Sequence, residues 1–139
     1  MMQPKYQDFW AGGFLYDRAA QAVFLHKRDG KTKINPHKWA FFGGQSEGNE
    51  THIECFIREF EEEIGLKVRP EEPKHLREYM NTLVNQYRVV FYVESAVREE
   101  ELVLGEGAGF SWIKLADVFQ YDLADRTRED LKYFLEQPR

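Results

Sequence analysis

The chain has one cysteine, five prolines and four histidines in 139 residues, and each scarcity narrows what it can be. A lone Cys55 excludes an internal disulfide and a cysteine-rich zinc site, and it fits a reducing compartment. His26, His37, His52 and His75 lack the spacing that gathers imidazoles on a metal, so a zinc centre has no support. No apolar run approaches the roughly 18 residues of a membrane span, and the opening MMQPKYQDFW shows no signal-peptide pattern. A cytoplasmic protein without membrane contact is expected. Basic residues are not in excess either: the formal net charge of −5 argues against long nucleic acid as a partner. No repeat, low-complexity segment or Pro/Gly/Ser linker divides the sequence, so a single domain over residues 1–139 is expected.

What is present is apolar and aromatic. At 42% hydrophobic and 15% aromatic residues, a chain of this length can bury one real core but not two. Trp10 to Tyr16 and Ala22 to Arg28 read as strands around an Asp17-Arg18-Ala19-Ala20 turn, with Trp39 to Phe42 as a short third strand. Lys74 to Val84 and Tyr87 to Ser95 read as a hairpin turning at Asn85-Gln86. Phe110 to Ile113 is a further strand, Leu115 to Gln120 a short helix and Thr127 to Glu136 a terminal one. A mixed sheet flanked by helices follows. Gly12-Gly13 inside the first strand reads as a bulge.

The segment GQSEGNETHIECFIREFEEEIGL concentrates carboxylates where a helix tolerates them poorly. Like charges at helical spacings repel by roughly 0.2–0.5 kcal/mol per pair, and the C-terminal end of the macrodipole favours cations. Thr51 with Glu54 forms a capping box that starts the helix, and Gly65 suits its C′ position. Glu59, Glu62 and Glu63 fall at i, i+3 and i+4 and share a face. Ile53, Phe56, Ile57, Phe60 and Ile64 form an apolar stripe on another face. A bound cation would relieve the crowding, with a backbone carbonyl at Gly43-Gly44 completing its shell. Oxygen ligands that leave room for water and phosphate suit Mg²⁺, with Mn²⁺ as the alternative.

Gly44, Glu50, Arg58, Glu59, Glu62, Glu63 and Gly65, with apolar Phe60 and Leu66, resemble the Nudix box. The resemblance spans nearly the whole chain and implies a Nudix-type α/β/α sandwich with a mixed β-sheet. It also implies divalent-metal-dependent hydrolysis of a nucleoside diphosphate linked to another group, by a monomer or homodimer acting on small nucleotides. Departures are local. Phe42 stands where similar proteins have proline, and Cys55 and Phe56 where they have small residues. These changes point to a repacked helix-to-sheet contact.

By the same resemblance, Gly44, Glu59, Glu62 and Glu63 are metal ligands and Arg58 orients a glutamate, pairing with Glu54 or Glu62. Glu59 is the first choice for general base. Glu106, in the glycine-rich GEGAGFSW segment, is the second choice and a further candidate ligand, set against a plain solvated acid. Arg28 is a candidate for phosphate oxygens, against an ordinary surface arginine, and Lys38 is a weaker one. Gln45 replaces a lysine often found after the paired glycines. Asp125 reads either as a base-contacting residue or as a helix N-cap, and the cap is favoured. The expected substrate is a nucleoside triphosphate, plain or modified, cleaved to monophosphate and pyrophosphate. The alternatives are ADP-ribose, a nucleotide sugar, a dinucleoside polyphosphate, or a sensor module that binds nucleotide without turnover.

Overall fold

The computed structural model describes residues 8–31, 33, 36–103 and 108–139. Its centre is β1 (Phe9–Asp17), which pairs in parallel along its length with β6 (Gln86–Glu94), from Phe9 opposite Tyr87 to Tyr16 opposite Glu94. The other edge of β1 is shared. Its first half, Trp10 to Gly13, pairs antiparallel with β4 (Phe42–Gln45), and its second half, Leu15 to Asp17, with β2 (Ala22–Lys27). β3 (Trp39–Ala40) and β7 (Gly109–Lys114) extend β2, and β5 (Lys74–Asn81) extends β6. This fork sets the paired glycines of β4 beside those of β1.

Helices cover both faces. α1 (His52–Ile64) begins with the expected box: Glu54 N–H donates to Thr51 Oγ1 at 3.2 Å and Thr51 N–H to Glu54 Oε1 at 2.9 Å. It ends at Gly65, whose φ of 70° is the left-handed conformation glycine adopts without strain. Its stripe buries Phe56 and Phe60 against Leu15, Phe42 and Phe91, with the Phe56 and Phe60 rings 4.3 Å apart. Each fully buried phenylalanine contributes roughly 1.5–3 kcal/mol, so the large residues at this contact help hold α1 to the sheet. On the opposite face α2 (Asp125–Glu136) buries Thr127, Asp130, Leu131 and Phe134 against Phe14, Phe41 and Val90. The result is the expected α/β/α sandwich.

Several elements differ from the sequence expectation. Trp39 to Phe42 is not one strand: β3 pairs with β2 and β4 with β1, so the chain crosses between neighbours at Phe41. β5 ends at Asn81, and the turn is Thr82 to Asn85, where Asn81 Oδ1 accepts from Leu83 N–H at 3.2 Å and Asn85 adopts φ 52°. The β-forming character of Thr82, Leu83 and Val84 is overridden by two asparagines suited to turns. Gly12-Gly13 is no bulge, because both residues keep register with β6 and β4. Their lack of side chains admits neighbours instead: a Cβ on Gly12 would lie 2.7 Å from Gly43 Cα, and one on Gly13 would overlap the Phe91 carbonyl. The irregularity falls at His75/Arg77 in β5. Leu115 to Gln120 shortens to a 3₁₀ turn at Val118–Gln120, and a second one forms at Glu99–Glu101.

Candidate active site

β4 and α1 meet along Gly43-Gly44. Gly43 N–H donates to Glu63 Oε2 at 3.0 Å, and a Cβ on Gly44 would lie 2.5 Å from Glu59 Cδ. A Cβ on Gly43 would lie 2.6 Å from Trp10 Cζ2. The glycine pair is therefore a strip of bare backbone between the Trp10 indole and the Glu59 carboxylate.

The three glutamates do not share one environment. Glu62 is open, its side chain 58% exposed, and Glu59 is at 13%. Glu63 is buried at 5% beside the apolar stripe, not facing away from it. It stands one turn from Phe60 and two turns from Phe56, so the stripe and the acidic face overlap at its position.

Arg58 ties the cluster together. Its Nε and Nη2 grip Glu50 at 2.5 and 3.1 Å, its Nη2 reaches the Gln45 carbonyl at 3.0 Å, and its Nη1 reaches Glu59 at 3.0 Å and Glu62 at 3.3 Å. The expected Glu62 pair is present. Glu54 is no partner, because the capping box already holds it. The two-point grip lowers the Glu50 carboxyl below its usual range and raises the guanidinium further. Part of the carboxylate crowding is thus relieved within the chain, by Arg58. Burial, followed by the Glu50 charge, pushes the Cys55 thiol up to about 12, which makes it an inert core residue.

Among the described residues no three carboxylate, imidazole or thiol groups converge as a ready-made metal cage. The donor set still suits a hard cation. Carboxylates Glu59 and Glu63 flank the Gly43-Gly44 backbone, and the absent side chain on Gly44 leaves the space into which Glu59 fits. Glu106 lies outside the described residues.

On the α2 side of the sheet a cavity of about 360 Å³ opens beside this strip, lined by residues that include Trp10, Arg28, Arg88, Asp125 and Arg126. Two of the sequence candidates, Arg28 and Asp125, thus reach one cavity. Lys38 does not line it, and its ammonium lies 3.9 Å from Asp122 Oδ1. Asp125 is not the expected cap: Ala124 holds the N-cap position without a side-chain bond, and Asp125 is the first residue of α2.

A NUDIX domain model matches residues 10–137. The chain belongs to the NUDIX family. As a Nudix protein it is a pyrophosphohydrolase by class, and the family generally works with divalent metal ions. The nucleoside triphosphatase NudI of Escherichia fergusonii is 27% identical over 120 residues, covering 79% of this chain and 85% of the relative. The fold aligns with MutT, described for Aliivibrio salmonicida and Vibrio cholerae, at TM-score 0.75 and 20% identity, covering 94% and 98% of the two chains. It also aligns with the NUDIX domain of Shewanella oneidensis NrtR, solved with ADP ribose, at TM-score 0.73 and 16% identity over 97% and 89%. These structures share the Nudix fold with this chain. No helix among the described residues is long and apolar enough to cross a membrane.

Trp10, Arg88, Arg126 and Asp130 are not singled out by sequence reasoning. Asp130 does carry a signal. It occupies a position in the 127-130-131-134 period that α2 buries, and a carboxylate on a buried face requires partners.

Proposed function

We propose that this chain hydrolyses a nucleoside triphosphate between its α and β phosphates, giving a monophosphate and pyrophosphate, with Mg²⁺ as the cation. The observation that carries the reading is the fit of the Glu59 carboxylate against Gly44, beside a cavity that two candidate substrate residues reach. The NudI relative, described as a nucleoside triphosphatase, supports the same class.

When bound, the cation supplies charge neutralisation at phosphate oxygens and acidifies a water. Glu59, Glu62, Glu63 and the Gly44 backbone would hold it. Glu59 takes the proton of the attacking water, whose oxygen bonds to phosphorus while the bridging P–O bond breaks and pyrophosphate leaves. Arg58 orients Glu59 and Glu62 through one nitrogen, and it is itself anchored by Glu50. Arg28 donates to phosphate oxygens, a task suited to a guanidinium fork.

A nucleotide panel with Mg²⁺ and product identification tests this. Monophosphate and pyrophosphate in equal amounts support it. Orthophosphate alone, a preference for ADP-ribose or a nucleotide sugar, or tight binding without turnover would each overturn it.

A further inference from the structure

Behind the cavity lies an unusual charge arrangement. Asp130 on α2 is completely buried, and its two oxygens serve three residues from the sheet. Oδ1 accepts from Arg77 Nε at 3.0 Å, Arg77 Nη2 at 2.9 Å and the Tyr79 hydroxyl at 2.8 Å, and Oδ2 accepts from Arg88 Nε at 2.8 Å. One carboxylate therefore answers two guanidiniums. Arg88 is itself buried, and its Cζ lies 4.1 Å from the centroid of the Trp10 ring, both residues lining the cavity.

With Nε committed to Asp130 and one face stacked on Trp10, the guanidinium of Arg88 is fixed in plane. Its terminal nitrogens find no protein acceptor among the described residues. A second arginine on the same cavity wall, Arg126, has a buried Nε with no hydrogen-bond partner among the described residues. Arginine only donates. Of these donors Arg126 Nε is the buried one; an occupant that displaces water from the Arg88 terminal nitrogens must replace its oxygen, so one that supplies oxygen is favoured over one that supplies N–H.

We propose that Arg88 is a specificity-determining residue that selects nucleobases bearing a keto oxygen over those bearing an amino group in its place, and that Asp130 is its positioning residue. The proposal rests on the triphosphate reading for the identity of the occupant. Guanine, hypoxanthine, uracil and thymine present a carbonyl oxygen where adenine and cytosine present an amino group. An amino group would set donor against donor. A fork held by Asp130 and Trp10 cannot turn away from the clash, and discrimination of this kind rests on the unpaired group left behind.

Matched pairs make the comparison. Hydrolysis of inosine against adenosine triphosphate, and of uridine against cytidine triphosphate, compares keto oxygen with amino nitrogen in rings that differ otherwise only at the adjacent ring nitrogen, which is N–H in the keto base and a lone-pair acceptor in the amino base. A keto preference of roughly ten- to hundred-fold in kcat/KM is expected, carried mainly by KM, the scale of one good hydrogen bond made or opposed. Calorimetric binding of the corresponding monophosphates without metal should show the same order. Arg88→Gln should level both pairs, chiefly by raising KM for the keto member of each. Asp130→Asn should weaken the preference, more in KM than in kcat. If that variant does not fold, Asp130→Asn combined with Arg77→Gln, which removes one half-buried cation along with the charge that balanced it, takes its place.

Equal use of both members of each pair by the native protein, or an undiminished preference in Arg88→Gln, overturns the assignment of Arg88. A folded Asp130 variant with native preference overturns the positioning role. Absence of any triphosphate turnover would sink the triphosphate reading alone, and the monophosphate binding order would still decide this one.

Discussion

The carboxylate of Glu59 fills the space that a side chain on Gly44 would need. Glycine is therefore required at position 44 for room, with no unusual backbone angle involved. Gly44→Ala should push Glu59 out of place while leaving the apolar face of α1 intact. The atoms met are all at the end of the Glu59 side chain, which can shift, so the stability cost should fall below the roughly 1–3 kcal/mol of core overpacking. Turnover should fall by two orders of magnitude or more, since a displacement near 1 Å at reacting groups costs about a hundredfold. Thermal melting with turnover checks this, and near-native activity in the folded variant would remove Glu59 from the site.

Glu62 and Glu63 should separate stability from activity. Both are proposed ligands, and loss of several kcal/mol of charge stabilisation predicts a drop of at least about a hundredfold for Glu62→Gln and for Glu63→Gln. Glu62 is open to solvent, so its variant should melt like the native protein without cation. Glu63 is buried and accepts the Gly43 N–H, so its variant should lose some stability too. Mg²⁺ should stabilise the native protein by about 2.7 kcal/mol at 100 times its dissociation constant, and less so either variant. Equal cation-induced shifts in melting temperature for all three proteins would place the cation elsewhere.

His26 predicts a pH dependence of folding. Burial, opposed by a hydrogen bond to the Phe41 carbonyl, lowers its pKa from 6.5 to about 4. Its Nδ1 is buried without a partner among the described residues. Between those values the unfolded chain binds a proton that the folded chain refuses, so stability is full above about pH 6.5 and declines as pH falls toward 4. The total loss is about 3 kcal/mol. Urea unfolding at pH 7.5, 5.5 and 4.5 should show a steeper decline for the native protein than for His26→Gln. Parallel curves would contradict the assignment.

The box helix was legible because every local signal agreed: the capping box, the glycine stop and the apolar period describe one element. The fate of Glu63 was not legible. Its position satisfies both the acidic face and the apolar stripe, and only the approach of the Gly43 N–H decides between them. Gly12-Gly13 misled for a related reason, since a bulge and a close three-strand fork ask for the same residue. Asp125 had the composition of a cap, but the chain enters α2 one residue earlier, at Ala124. Arg88 and Asp130 come from a strand and a helix more than forty positions apart, and local pattern does not announce such a pairing.

Arg28 and Lys38 are both candidates for phosphate by sequence, and their surroundings rank them. Arg28 follows β2 directly, its N–H donates to the Lys38 carbonyl at 2.9 Å, and its side chain lines the cavity. Lys38 shares that backbone contact, but its ammonium lies beside Asp122, away from the cavity lining. The backbone bond survives truncation of either side chain, so Arg28→Ala and Lys38→Ala should both fold. If Arg28 holds phosphate oxygens, its loss should lower kcat/KM for a triphosphate by about 1.5–3 kcal/mol, or roughly ten- to hundredfold, the range for a hydrogen bond to a charged group. Lys38→Ala should change it by less than about threefold, as expected of an exposed ion pair at this distance. The effect of Arg28→Ala should be smaller on a monophosphate's binding than on triphosphate turnover, because fewer phosphate oxygens remain to be held. Steady-state kinetics of both variants with one triphosphate, alongside calorimetry with its monophosphate, makes the comparison. Equal small effects would return Arg28 to the surface, and a larger effect for Lys38 would move the phosphate path to the β3 edge of the sheet.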